Sequence, residues 1–112
     1  MSSNKVVITK TAQQDLLDIF DYIAFELREG QAARNLLAKI RKKIMMLEEF
    51  PERNALIGEP NYRVKNIRWC PIENYVIFYQ ISEFDKNVIV LRVLYKRRNW
   101  EYLLSSDEPE NP

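Results

Sequence analysis

Apolar residues change their spacing along this chain, and each change marks an element. Val6-Val7-Ile8 is a short apolar run of β type. From Ala12 the apolar positions recur at Leu16, Phe20, Ile23 and Leu27, with Leu17 and Ala24 beside them, the spacing of a helix that buries one face. Thr11 followed by Gln14 matches a capping box, so a helix is predicted to start near Ala12 and to end at Gly30. Asp15, Asp18 and Asp21 lie nearer its positively polarised N-terminal end. A second helical stripe, Ala33, Leu36, Leu37, Ile40, Ile44 and Leu47, leaves Arg41, Lys42 and Lys43 outside and stops at Pro51. The link between the two is short, so an antiparallel hairpin is expected.

Past Gly58 and Pro60 the period becomes two. Tyr62 to Arg68 reads as a strand with Arg63 and Lys65 on one face and Val64 on the other. Tyr75 to Ile81 and Val88 to Tyr95 are apolar on both faces, which predicts the central strands of a sheet covered by the hairpin. Asp85-Lys86-Asn87 between them is turn chemistry. Arg98 to Leu104 is expected to close with a short helix or turn. The pattern specifies one α+β domain over residues 1–104, ordered β-α-α-β-β-β on a mainly antiparallel sheet, followed by a disordered acidic tail over 105–112.

Composition narrows the chemistry. There is no histidine and only one cysteine, so a His-based triad, a His metal site, a Cys-His pair and an internal disulfide are all excluded. No metal or cofactor is expected, and Cys70, between Trp69 and Pro71, reads as inert. Val6 follows the first residues without an apolar leader, and no run approaches membrane-spanning length, so a cytoplasmic protein is expected. The net charge of +1 conceals an asymmetry. Residues 1–52 hold eight basic and eight acidic side chains, residues 53–104 hold nine and five, and the tail holds three acidic ones only. A basic face of this kind attracts an anionic partner.

That basicity converges on Arg92 and on Tyr95-Lys96-Arg97-Arg98-Asn99-Trp100, with Tyr102 beyond. Arginine in an apolar strand is costly to bury alone, so Arg92 either meets a carboxylate or points into a solvent-open groove. Cations beside Tyr95, Trp100 and Tyr102 combine phosphate neutralisation with stacking surfaces, as single-stranded RNA binding requires. Arg63, Lys65 and Arg68 either extend this patch or form a solvated edge strand. Tyr75 and Tyr79 are read as core.

The order of elements, with Tyr62-Arg63, Asn74 to Tyr79 and Arg92 to Trp100, resembles the RelE/ParE superfamily of type II toxins. Ala12 with Asp15-Leu16, and Leu47 with Pro51, belong to the same likeness. The resemblance implies a growth-inhibiting toxin held by an acidic antitoxin, typically encoded beside it, that covers the basic surface. It also implies one of two actions. ParE-like members poison DNA gyrase, whereas RelE-like members cut mRNA on the ribosome without a metal. In the second case Lys65 is the candidate base, Arg92 and Arg97 are the phosphate clamps, and Tyr102 or Tyr95 is the proton donor. The target-binding candidates in either case are Arg63, Lys65, Arg68, Arg92, Tyr95, Lys96, Arg97, Arg98 and Trp100. Lysine and tyrosine titrate near about 10.4 and about 10 when unperturbed, so base catalysis by such groups demands a strong downward shift. RelE-like nucleases also carry an arginine in the strand where this chain has Val76, and the long hairpin is ParE-like. The favoured expectation is therefore a ParE-like toxin that acts by binding, with the nuclease and a degenerate, non-toxic interaction module as alternatives.

Overall fold

The computed structural model describes residues 5–58, 65–98 and 104. Arg63, Trp100, Tyr102, the Tyr62–Val64 part of the expected strand and the tail lie outside the described residues. Strand β1 (Val6–Ile8) leads into helix α1 (Lys10–Asp21), a π-helical turn over Tyr22–Glu26, and helix α2 (Gly30–Met46). Strands β2 (Ile67–Ile72), β3 (Tyr75–Ile81) and β4 (Val88–Tyr95) complete a four-stranded sheet in the order β1-β4-β3-β2. β1 runs parallel to β4 and the remaining pairs are antiparallel. Two helices on a mixed sheet is the α+β architecture that the hydrophobic pattern specifies, with β3 and β4 in the centre.

Local chemistry moved several boundaries. Helix α1 starts two residues earlier than the Thr11 capping box implies, because Thr9 is the cap. Its hydroxyl accepts from the Ala12 N–H at 3.1 Å and donates to the Val90 carbonyl at 2.9 Å. One side chain thus closes the helix end and ties it to β4, a double role that Thr11, inside the first turn, cannot fill. Gln14 bonds Asp18 instead of a cap. Thr9→Ala is expected to cost about 1–2 kcal/mol, read as a lower urea midpoint with an unchanged slope; a change below about 0.3 kcal/mol would remove the cap from this account.

Gly30 does not terminate the first helix; it begins the second. The turn is made by wide backbone bonds, Leu27 N–H to the Tyr22 carbonyl at 3.0 Å and Glu29 N–H to the Ile23 carbonyl at 2.9 Å. Arg28 takes the left-handed conformation, φ 56°, that a glycine would be expected to supply. The expected strand over 62–68 is likewise displaced: Lys65 and Asn66 form a turn, Asn66 with φ 62°, and Trp69, Cys70 and Pro71 are inside β2. Proline is tolerated there because β2 is an edge strand. A two-residue turn, Glu73-Asn74, joins β2 to β3, with Glu73 at φ 55°.

Two clusters fill the two faces of the sheet. On the helix side Ala12, Leu16, Ile19, Ile40, Ile44 and Leu47 pack against Cys70, Ile77, Tyr79, Val88, Val90 and Val93. On the opposite side Ile57, Ile67, Val76, Phe78, Leu94 and Leu104 are buried together, with Leu91 against them. A β-bulge opposite the Phe78/Tyr79 step leaves Leu91 without a partner, since Phe78 pairs with Arg92 and Tyr79 with Val90. The bulge breaks the alternation, so Val90 and Val93 both reach the helix-side core. Tyr79 is fully buried, as read from sequence, and its hydroxyl donates to the Pro51 carbonyl at 2.5 Å. Tyr75 is half-buried.

A candidate target-binding surface at the end of β4

β1 pairs with β4 only along Val88–Val90, so beyond that point the outer edge of β4 needs another partner. Helix α1 supplies one. Asp15 lies on the core-facing stripe of α1 and is 6% exposed. Its carboxylate accepts from the Val93 N–H at 3.0 Å, from Arg92 Nε at 2.8 Å and from Arg92 Nη2 at 3.0 Å. A two-point arginine–carboxylate pair with a backbone donor added satisfies a buried charge from several directions. Of the two fates open to Arg92, the structure takes the first: it meets a carboxylate. The guanidinium is bound to α1, so its role in the described fold is to fasten α1 to β4.

The other candidates do not gather around one point. Lys65 is exposed in the turn before β2, where its carbonyl accepts from Gln80 Nε2 at 2.7 Å, beside the C-terminal end of β3. Arg97 follows β4 beside the opposite end of β3, where the Lys96 N–H donates to the Asn74 carbonyl at 2.8 Å. Six residues of strand separate Gln80 from Asn74, about 20 Å. The arrangement places Lys65, the candidate base, and Arg97, one of the two candidate phosphate clamps, at opposite ends of β3, while Arg92, the other clamp, is bound to Asp15. Arg68 is drawn inward too: Nη1 donates to the Asn54 carbonyl at 2.6 Å and to the Glu52 carbonyl at 3.3 Å. Those bonds hold the 51–54 segment on the sheet, alongside the Asn54 amide donating to Tyr79 Oη at 3.2 Å.

Tyr95, Lys96, Arg97 and Arg98 do form one exposed surface. A tight turn, closed by the Arg98 N–H on the Tyr95 carbonyl at 2.9 Å, projects three consecutive cations. The Tyr95 ring meets Tyr75 edge to face, with centroids 5.7 Å apart. Both tyrosines line a groove of about 890 Å³ between the helix hairpin and the sheet, with Tyr22 and Leu27 from the hairpin and Arg98 at its rim. Burial, with the Tyr95 and Tyr22 hydroxyls nearby, pushes the Tyr75 phenol above its ordinary value, so it stays a neutral donor. Lys39 on α2 pairs with Glu73 at 3.2 Å across the same groove. Burial likewise pushes the Cys70 thiol up.

Asp15, as the anchor of Arg92, and Tyr22, as a lining residue of the groove, are absent from the candidates read from the sequence. Asp15 carried a signal, since it interrupts the apolar stripe between Ala12 and Ile19 at a core-facing position. Tyr22 carried none; the π-helical turn that directs it to the groove comes from backbone bonds. Among the described residues no three His, Cys, Asp or Glu side chains cluster to hold a metal ion. No helix there is long and apolar enough to cross a membrane.

Residues 6–100 match the family described as ParE toxin of type II toxin-antitoxin system, parDE. No curated protein sequence matches the chain. Among solved structures the fold is similar to the chromosomal ParDE toxin–antitoxin system of P. aeruginosa, with a TM-score of 0.68 and 18% identity over 83% of this chain and 96% of that one. It is similar to the RelBE2 toxin–antitoxin complex of Mycobacterium tuberculosis, with a TM-score of 0.63 and 19% identity over 83% and 98%. The E. coli toxin RelE in the free state, as a double mutant, gives 0.62 and 17% over 92% and 93%. At these identities the structural likeness speaks for the fold alone.

Proposed function

The chain belongs to the ParE toxin family of type II toxin-antitoxin systems, and from that premise we propose that it inhibits growth by binding an essential target such as DNA gyrase. Its partner is then a cognate antitoxin that neutralises it, as the ParDE and RelBE2 structures pair toxin with antitoxin. The observation that carries the binding reading is the apolar sheet face opposite the helices. Ile67, Val76, Phe78 and Leu94 are packed there under Ile57 and Leu104, each at most 5% exposed. Metal-free RNA cleavage needs cations and a base arranged about a phosphate. Among the described residues the cluster buried on this face offers methyl groups and a phenyl ring, and Arg92, the register partner of Phe78, already carries the Asp15 carboxylate.

The exposed Tyr95-Lys96-Arg97-Arg98 turn is the surface assigned to target contact. It joins positive charge to two phenols in edge-to-face contact and an open groove, and needs no catalytic group. Purified protein is expected to trap gyrase–DNA cleavage complexes and to slow supercoiling. Arg97→Ala combined with Arg98→Ala is expected to weaken both about tenfold or more. Unchanged supercoiling with no trapped complexes would reject the gyrase reading. The same basic turn favours the second reading, a RelE-like nuclease; codon-positioned cuts in ribosome-bound mRNA that vanish with Arg97→Ala would establish it instead.

A further inference from the structure

We infer that the turn Lys96-Arg97-Arg98 is the docking site of the chain's own acidic segment, Asp107 to Glu110, which then masks the surface assigned to target contact. The three cations are exposed, and among the described residues no carboxylate lies within ion-pair distance of them. Glu73, which lines the same groove as Arg98, is already held by Lys39 at 3.2 Å. Positive charge so concentrated attracts an anionic segment. The chain carries one close by. From residue 99 to residue 112 every charged side chain is acidic, and three of the four stand within positions 107–110.

Leu104 fixes where that segment starts. It is 5% exposed and belongs to the cluster on the sheet face that also holds Leu94. Leu94 precedes Lys96 by two residues and Arg98 by four, at most about 14 Å of chain. Asp107 and Glu110 follow Leu104 by three residues and six, a reach of about 10 Å and about 20 Å when extended. Three carboxylates therefore come within range of three cations, and a tether this short keeps them at an effective concentration on the order of millimolar. A separate acidic molecule must match that local concentration, which makes the tail the favoured occupant. Exposed ion pairs are individually weak, so the contact is reversible and a tightly binding target displaces it. The inference rests on the target-surface reading only for this competition; the contact itself stands without it.

The full chain is compared with the variant Asp107→Asn, Glu108→Gln, Glu110→Gln, which keeps side-chain shape and removes the charge. Their amide NMR spectra are expected to differ at residues 96–98 in about 10 mM salt, where the Debye length is about 30 Å, and to converge in about 1 M, where it is about 3 Å. Lys65, at the far end of β3, is expected to stay unmoved. A dye-labelled hexa-aspartate peptide is the anionic probe, and it is expected to bind the neutralised variant at least about fivefold more tightly. Adding Arg97→Ala and Arg98→Ala to both chains is expected to erase that gain. A gain that persists is an effect of net charge and overturns the proposal, as do spectra that coincide at residues 96–98 or differ equally at Lys65. On gyrase the neutralised variant is expected to act at an about threefold lower concentration, and equal potency would overturn the masking. Shifts at residues 96–98 in a chain without action on gyrase reject the target reading alone. Gyrase action that the two alanines weaken, with no such shifts, rejects the docking alone.

Discussion

Asp15→Ala is expected to lower the free energy of unfolding by about 3–5 kcal/mol, the largest effect of any single truncation on α1. Three donors converge on that carboxylate: Arg92 Nε, Arg92 Nη2 and the Val93 N–H. Removing it leaves a guanidinium whose side chain is 13% exposed without its carboxylate, and a buried edge N–H without its acceptor. Most of the cost comes from the bonds these buried groups lose, so the pair itself need not be strongly stabilising. Replacing both members, Asp15→Leu with Arg92→Leu, is accordingly expected to be more stable than Asp15→Ala alone. Guanidinium denaturation followed by circular dichroism measures both. A loss below about 1 kcal/mol for Asp15→Ala would show that the carboxylate is not what joins α1 to β4.

Val76→Arg is the second large effect. It supplies the strand arginine characteristic of the RelE-like branch, and the naive expectation is a gain of RNA cleavage. Val76 is 5% exposed and packed among Ile57, Ile67, Phe78, Leu94 and Leu104, and among the described residues no carboxylate belongs to that cluster. A guanidinium introduced there meets no carboxylate among the described residues of the cluster, and the expected result is a loss of about 3–5 kcal/mol with no nuclease activity. The measurement is a denaturation midpoint beside a ribosome-programmed cleavage assay. A stable variant that cuts message would mean that this face opens readily and that the binding reading is wrong.

The elements of this fold that can be read from sequence are those whose pattern is long. Val88–Tyr95 and Tyr75–Ile81 stand out because both faces are apolar, and the stripe from Ala33 to Leu47 sets α2. What could not be read is decided by partners far along the chain. Thr9 rather than Thr11 caps α1 because its hydroxyl also bonds Val90, 81 residues away. Arg28 turns left-handed because the π-helical bonds place it there, a conformation no propensity favours for arginine. Pro71 sits in a strand because that strand is at an edge, which only the topology reveals.

The candidate site divides in the same way. The Tyr95 to Arg98 cluster is contiguous in sequence and lies on one turn. Lys65, Arg68 and Arg92 resemble members of the patch by charge alone. Charge patterning reports which side chains are cationic, whereas their direction depends on what else is buried nearby. Arg92 finds Asp15 and Arg68 finds the carbonyls of residues 52 and 54.

The parallel pairing of β1 with β4 bears on how the protein comes into being. Val6 is matched to Val88 and Ile8 to Val90, so the strand that leaves the ribosome first waits for the one that leaves last. Thr9 waits for Val90 and Asp15 for Val93. Contacts of such sequence separation form slowly and cannot form at all on a nascent chain that stops short of them. The helix hairpin therefore emerges with its apolar stripes uncovered, and the sheet that buries them closes only once synthesis is nearly complete.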